Sequence, residues 1–211
     1  MPRGRLITIE GLDGAGKTTL AASLAEEIAQ RGASVQLLRE PGGEPLAERI
    51  RSLLKTTDPE VRPSARAEAL LYAAARAQLT ERTLEPALER GTWVLLDRFV
   101  DSSLAYQGGG RALGLQAVRD INLFATHGLA PDRTLLLEID PAAGRARQQE
   151  RGDRPDRLES ESALFFDAVS TTYEALATAD PGRIRRLDAN LPPDHVLAQA
   201  LAAIDDLLAA L

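Results

Sequence analysis

The chain contains no cysteine. Disulfides, thiolate metal sites and cysteine nucleophiles are therefore excluded. Long apolar runs are missing too: no stretch approaches the roughly 20 residues that cross a bilayer. The opening residues, MPRGRLITIEG, run directly into a strand signal and lack the apolar centre of a signal peptide. A cytoplasmic protein with no membrane partner is the expectation. Lysine is scarce, with only Lys17 and Lys55 in a total of 25 basic residues. A general bias towards arginine explains most of this, yet Lys17 stays lysine where a compact point charge suits a terminal phosphate. The net charge of −6 argues against non-specific nucleic-acid binding.

What is present is a globular composition, 44% hydrophobic over 211 residues, enough for one domain with a substantial core. Strand and helix patterns alternate. RLITIE (5–10), SVQLLR (34–39), TWVLLD (92–97), RTLLLEI (133–139) and RIRRLD (183–188) read as strands. Helical patterns cover about 16–31, 45–55, 64–90, 115–127, 160–178 and 193–211, with Gly32 as a C-terminal stop for the first. YQGGGRALG (106–114) reads as a loop. The alternation predicts an α/β fold, a five-stranded parallel sheet with helices on both faces. A single domain spans residues 1–211, and the stretch at about 145–158 is a mobile lid inserted in it.

The segment after the first strand, GLDGAGKTT, matches G-x-x-x-x-G-K-[ST], and its strand-before, helix-after context is what the pattern requires. Small residues let backbone N–H groups turn inward around an anion, and the helix N-terminus adds unpaired donors. Gly11, Asp13, Gly14, Ala15, Gly16, Lys17, Thr18 and Thr19 are the expected ATP-binding residues. Lys17 reaches the outer phosphates, and the Thr18 hydroxyl ligates Mg²⁺. Asp97, ending an apolar strand, is the second expected support for Mg²⁺, directly or through water. No N-K-x-D segment is present to read guanine, and LLDRFVD does not supply the D-x-x-G of a GTPase. Arg98 instead follows Asp97, at a strand end where open α/β sheets bind ligands. A guanidinium there suits a second phosphate. GRARQQERGDRPDRLE (144–159) adds Arg145, Arg147, Arg151, Arg154 and Arg157 interleaved with acids. Charge runs are usually solvated faces, but a phosphoryl-transfer enzyme uses mobile arginines to cover transition-state charge and exclude water.

EGLDGAGKTT, REPGG, YAAARAQ, DRFVDSSLAYQGGGR and DRLE, in this order, closely resemble thymidylate kinases, the dTMP kinases of the P-loop nucleoside monophosphate kinase fold, over about residues 5–190. The resemblance implies transfer of the ATP γ-phosphate to dTMP with Mg²⁺, and a homodimer with helices of the first half in its interface. A phosphate loop without arginine beside an arginine-rich lid resembles the bacterial type. That implies Arg151 as the catalytic lid arginine, with Arg147 and Arg154 next, besides Lys17 and Arg98. It further places Asp13 at the acceptor 3′-hydroxyl, Glu40 near the sugar and metal, Arg98 on the dTMP phosphate and Arg51 as a second basic contact. Tyr72 stands where the family stacks phenylalanine on thymine, Arg76 at the thymine O4, Ser103 and Gln107 around the base, and Tyr106 under the sugar. Independently of the resemblance, Tyr72 and Arg76 share a helix face through their four-residue spacing. A guanidinium only donates, so it disfavours an amino group at the base edge. Thymine and uracil stay unresolved, as a methyl group is worth only about 1–3 kcal/mol in an apolar pocket. A kinase for another monophosphate and a P-loop ATPase that drives a partner remain the alternatives.

Overall fold

The computed structural model describes residues 2–150 and 156–209. Its elements in chain order begin with β1 (Leu6–Gly11), α1 (Lys17–Gln30), β2 (Val35–Arg39) and α2 (Pro45–Lys55). Next come α3 (Ala65–Leu79), α4 (Glu85–Glu89), β3 (Trp93–Asp97), α5 (Val100–Ser103) and α6 (Leu115–Ala125). The chain continues with β4 (Arg133–Glu138), α7 (Pro141–Glu150), α8 (Ala163–Ala179), β5 (Ile184–Asp188), α9 (Pro193–Ala203) and α10 (Asp205–Leu208). All four strand pairings are parallel, in the order β2-β3-β1-β4-β5.

Alternation along the strands builds two cores. Ile7, Ile9, Trp93 and Leu95 pack with Leu20, Leu24 and Ile28 of α1 and with residues of α8 and α9. Leu6, Val94 and Leu96 face the other way, onto Leu79, Leu84 and Leu88. Successive strand side chains point to opposite faces, so a sheet covered on both sides needs continuous apolar runs. Because β1 lies between β3 and β4, the chain leaves it first towards one edge and later towards the other. The carboxyl ends of β1 and β3 therefore open onto the crevice where such sheets bind ligands.

Three expectations change. YQGGG is not loop: residues Leu104–Gly110 continue α5 as a π-helical segment. The glycines are there for close packing, since a Cβ on Gly109 would lie 2.0 Å from Thr172 Oγ1 and one on Gly110 2.6 Å from the Phe165 ring. The long helix at 64–90 is divided by a π segment, Thr80–Leu84, just ahead of Pro86, which has no N–H to continue an α ladder. The closing helix is divided at Ile204 into α9 and α10. Gly32 does end α1, with φ 93° and its N–H on Ala29 O at 2.9 Å.

Candidate active site

β1 runs out at Gly11, where φ is 133° and a Cβ would meet Leu137 O at 2.5 Å. Glycine alone tolerates both constraints. Gly14 is as tightly placed, because a Cβ on it would lie 2.2 Å from Gly144 O in the first turn of α7. The two glycines let the start of α7 rest on the loop. Gly16, at φ 92°, opens α1, and no side chain caps the helix. Its first N–H groups are thus available to an anion. Lys17 folds back over the loop, donating to Gly11 O at 3.2 Å and Leu12 O at 2.9 Å, with Asp13 Oδ1 at 3.7 Å. Burial and the Arg98 charge push the Lys17 ammonium down to about 8, against the opposing pull of Asp13, Asp97 and Glu10. A bound phosphate would restore the proton.

Thr18 Oγ1 donates to Asp97 Oδ2 at 2.9 Å. This hydroxyl–carboxylate pair, beside the phosphate loop, is the hard-oxygen set that Mg²⁺ accepts together with phosphates and water. Among the described residues no group of three His, Asp or Glu side chains forms a metal cage, and Mg²⁺ held largely by substrate phosphates needs none.

Arg98 has φ 72°, a left-handed conformation uncommon outside glycine. The turn is held from both sides: Arg98 N–H donates to Ile9 O at 3.0 Å, and Phe99 N–H to Glu10 Oε1 at 2.8 Å. Its guanidinium donates to Asp13 Oδ1 at 2.5 Å, Gly11 O at 3.2 Å, Ser102 Oγ at 3.1 Å and Tyr106 Oη at 3.3 Å, and lies 5.0 Å over the Tyr106 ring. Burial opposes ionisation of Asp13, but the charges of Arg98 and Lys17 outweigh it and hold that carboxyl well below the usual range. Behind Arg98, Ser102 and Tyr173 hydroxyls converge on Glu10. Burial and the nearby Asp101 raise the Glu10 pKa.

The other end of the cavity is built by α3. Arg76 is 1% exposed and makes four hydrogen bonds within the protein. Nε donates to Glu40 Oε2 at 2.8 Å; Nη2 lies 2.6 Å from the same oxygen and donates to Phe99 O; Nη1 donates to Ser103 Oγ and Asn122 Oδ1. Glu40 Oε1 is buried without a partner among the described residues. Burial pushes the Glu40 carboxyl up to about 7 despite Arg76. Arg51, whose guanidinium is on Pro41 O at 2.8 Å, and Tyr72 stand on the same wall. Burial raises the Tyr72 phenol. These residues, with Asp13, Lys17, Thr18, Asp97, Arg98, Ser103, Tyr106 and Gln107, line one cavity of about 520 Å³.

The cavity has a phosphate loop at one end and an aromatic-and-amide wall at the other, and the chain carrying it is similar in sequence to known proteins over nearly its whole length. A family model described as thymidylate kinase matches residues 9–200. The thymidylate kinase of Halorhodospira halophila is 45% identical over 208 residues, covering 98% of this chain and 96% of that protein. That of Deinococcus radiodurans is 47% identical over 206 residues, 98% of each chain, and that of Oenococcus oeni 47% over 211 residues, 99% and 98%. The chain belongs to the thymidylate kinase family.

Measured against the thymidylate kinase pattern in the sequence, the cavity gathers Asp13, Gly14, Gly16, Lys17, Thr18, Thr19, Glu40, Arg51, Tyr72, Arg76, Asp97, Arg98, Ser103, Tyr106 and Gln107. Ala15 is buried beneath the loop. Arg147 reaches elsewhere, donating to Ala189 O at 3.0 Å in the turn after β5. Arg151 and Arg154 lie outside the described residues. Arg76 reaches the wall, with hydrogen bonds to Glu40, Ser103, Asn122 and Phe99 O. Sequence reasoning missed Glu10, Ser102 and Tyr173, the polar backing of Arg98, and Asn122 and Phe99 O, the backing of Arg76. Glu10 carried a signal, being an acid within a buried apolar strand. Tyr173 and Asn122 sat in ordinary helical patterns, and nothing local set them apart.

Proposed function

We propose that this protein transfers the γ-phosphate of ATP to dTMP, giving dTDP and ADP, and that the cavity described above is where dTMP binds. The carrying observation is Arg98, a guanidinium clamped at the mouth of the phosphate loop with part of its surface turned to the cavity. The acceptor phosphate meets Arg98, and its oxygen attacks the γ-phosphorus of an ATP whose phosphates lie along Gly11–Thr19. The new P–O bond forms as the β–γ bridging bond breaks, and ADP leaves with that electron pair. Lys17 and the α1 N-terminus hold the transferring charge. Asp13 keeps Arg98 in place and takes the 3′-hydroxyl. Tyr72 offers its face to thymine, Tyr106 supports the sugar, and Arg51, Ser103, Gln107 and Arg76 complete the pocket. Thr18 and Asp97 would hold Mg²⁺, which would neutralise part of the phosphate charge.

The segment at about 145–158 acts as the lid in this reading, with Arg151 the first candidate for the arginine that covers the transferring group and Arg154 a further candidate. Its far end is tied down by Asp156 on Lys55 at 3.0 Å. Arg147, the other lid candidate, is turned to Ala189 O instead. Exposed Leu46 and Leu53 on α2, Leu70 on α3 and Phe124 on α6 support a homodimer through these helices. No helix among the described residues is long and apolar enough to cross a membrane, which is compatible with a cytoplasmic enzyme. The test is ADP formation from Mg²⁺-ATP alone and with dTMP, dUMP, dCMP or AMP. Strong stimulation by dTMP, weaker by dUMP and little by the others is expected. Equal hydrolysis in every tube would remove the kinase reading and favour a partner-driving ATPase.

A further inference from the structure

Glu68 is fully buried on α3, one turn before Tyr72 and two before Arg76. Its neighbours divide its two oxygens unequally. Gln107 Nε2 donates to Oε1 at 2.9 Å. Arg157 sits on Oε2 at 2.7 Å, and Arg111 donates to Oε2 at 3.0 Å while its Nε straddles both oxygens at 3.2 Å. With two guanidiniums against it the carboxylate is an acceptor only. The Gln107 amide therefore has one permitted orientation, NH₂ towards Glu68 and carbonyl away from it. Among the described residues nothing donates to that carbonyl, and Gln107 lines the cavity beside Tyr72.

Pyrimidine bases differ at this point. A 4-oxo pyrimidine carries a hydrogen on N3, whereas a 4-amino pyrimidine presents a lone pair there. Arg76, on the same wall, can only donate, whereas the Gln107 carbonyl can accept from N3. We infer that Glu68 is a specificity-determining positioning residue: by fixing the Gln107 amide it points an acceptor at the base N3, so that the site takes 4-oxo and rejects 4-amino pyrimidine monophosphates. This rests on the dTMP reading of the cavity.

The substitution Glu68→Gln tests it. Arg157 and Arg111 would keep the new amide oxygen at the Oε2 position, leaving NH₂ to face Gln107. The Gln107 amide would then turn over and present N–H groups to the base. The kcat/KM values for dTMP, dUMP and dCMP are measured with wild type and variant. The expected result is a fall for dTMP and dUMP together, with the dTMP-to-dCMP ratio dropping at least about tenfold, as loss of a hydrogen bond with an unpaired group left behind implies. A purely structural Glu68 would lower all three acceptors alike, and an unchanged ratio overturns the inference. If Glu68→Gln fails to fold, Gln107→Met removes the carbonyl while the Arg157 and Arg111 contacts of Glu68 stay in place, with one donor to Oε1 lost. The ratio should collapse there also, and its persistence is equally fatal. Failure of the dTMP reading shows separately, as a wild-type protein that dTMP does not stimulate, and would overturn both.

Discussion

Two arginines face the same cavity and are built for opposite tasks. Each makes four hydrogen bonds, but Arg76 is 1% exposed against buried Glu40, whereas Arg98 is 17% exposed and no hydrogen bond from its Nε is found among the described residues. A saturated guanidinium can shape a wall and hold a carboxylate, but has little left for a ligand. A clamped yet partly open one presents charge with its orientation already fixed, which is what a developing or bound phosphate uses. Having an arginine in the pocket therefore says less than how much of its guanidinium stays open.

The comparison can be broken most severely at Arg76. Arg76→Met should cost about 3–5 kcal/mol of stability, because it leaves Glu40 buried without its partner; denaturant melts would measure it. Pairing it with Glu40→Gln should recover much of the loss. Arg98→Ala should do the reverse, cutting kcat/KM for dTMP by about 10²–10³ while moving the melt little, since its partner Asp13 is 28% exposed. Matching stability losses in the two variants would erase the distinction.

Smaller effects sharpen it through pH. With Lys17 at about 8 in the free protein, kcat/KM for ATP should fall as pH rises above about 8, since the neutral amine no longer attracts phosphate. Lys17→Arg should move that limb beyond the measurable range. Glu40 has the smallest effect. Its folded pKa is raised from 4.5 to about 7, so the folded protein holds more protons between those values. Its contribution to stability is complete below 4.5 and lost as pH rises through 7. Glu40→Gln should flatten that slope. Asp13, depressed in the fold, works oppositely and loses its contribution only as pH falls through 3.8 and below.

The phosphate loop was legible because its determinants are local. Gly11, Gly16, Lys17 and Thr18 lie within one turn and one helix start, and strand-end Asp97 and Arg98 follow from a short apolar run. What escaped were partnerships across the chain. Glu68 meets Gln107 and Arg157, 39 and 89 residues later, only because α3, the π segment and the chain after the lid converge. Gly108–Gly110 looked like a loop because glycine breaks isolated helices. Here α8 packs so closely that only glycine fits, and tertiary contact overrides propensity. The saturation of Arg76 was illegible for the same reason, since its donors are filled from Glu40, Phe99, Ser103 and Asn122.

The most direct measurement is calorimetric binding of dTMP and of thymidine, which lacks the phosphate, to wild type and Arg98→Ala. Wild type should strongly prefer dTMP, and Arg98→Ala should lower dTMP affinity towards that of thymidine while thymidine binding stays as it was. Equal loss for both ligands, or none for dTMP, would contradict the assignment of Arg98 to the acceptor phosphate.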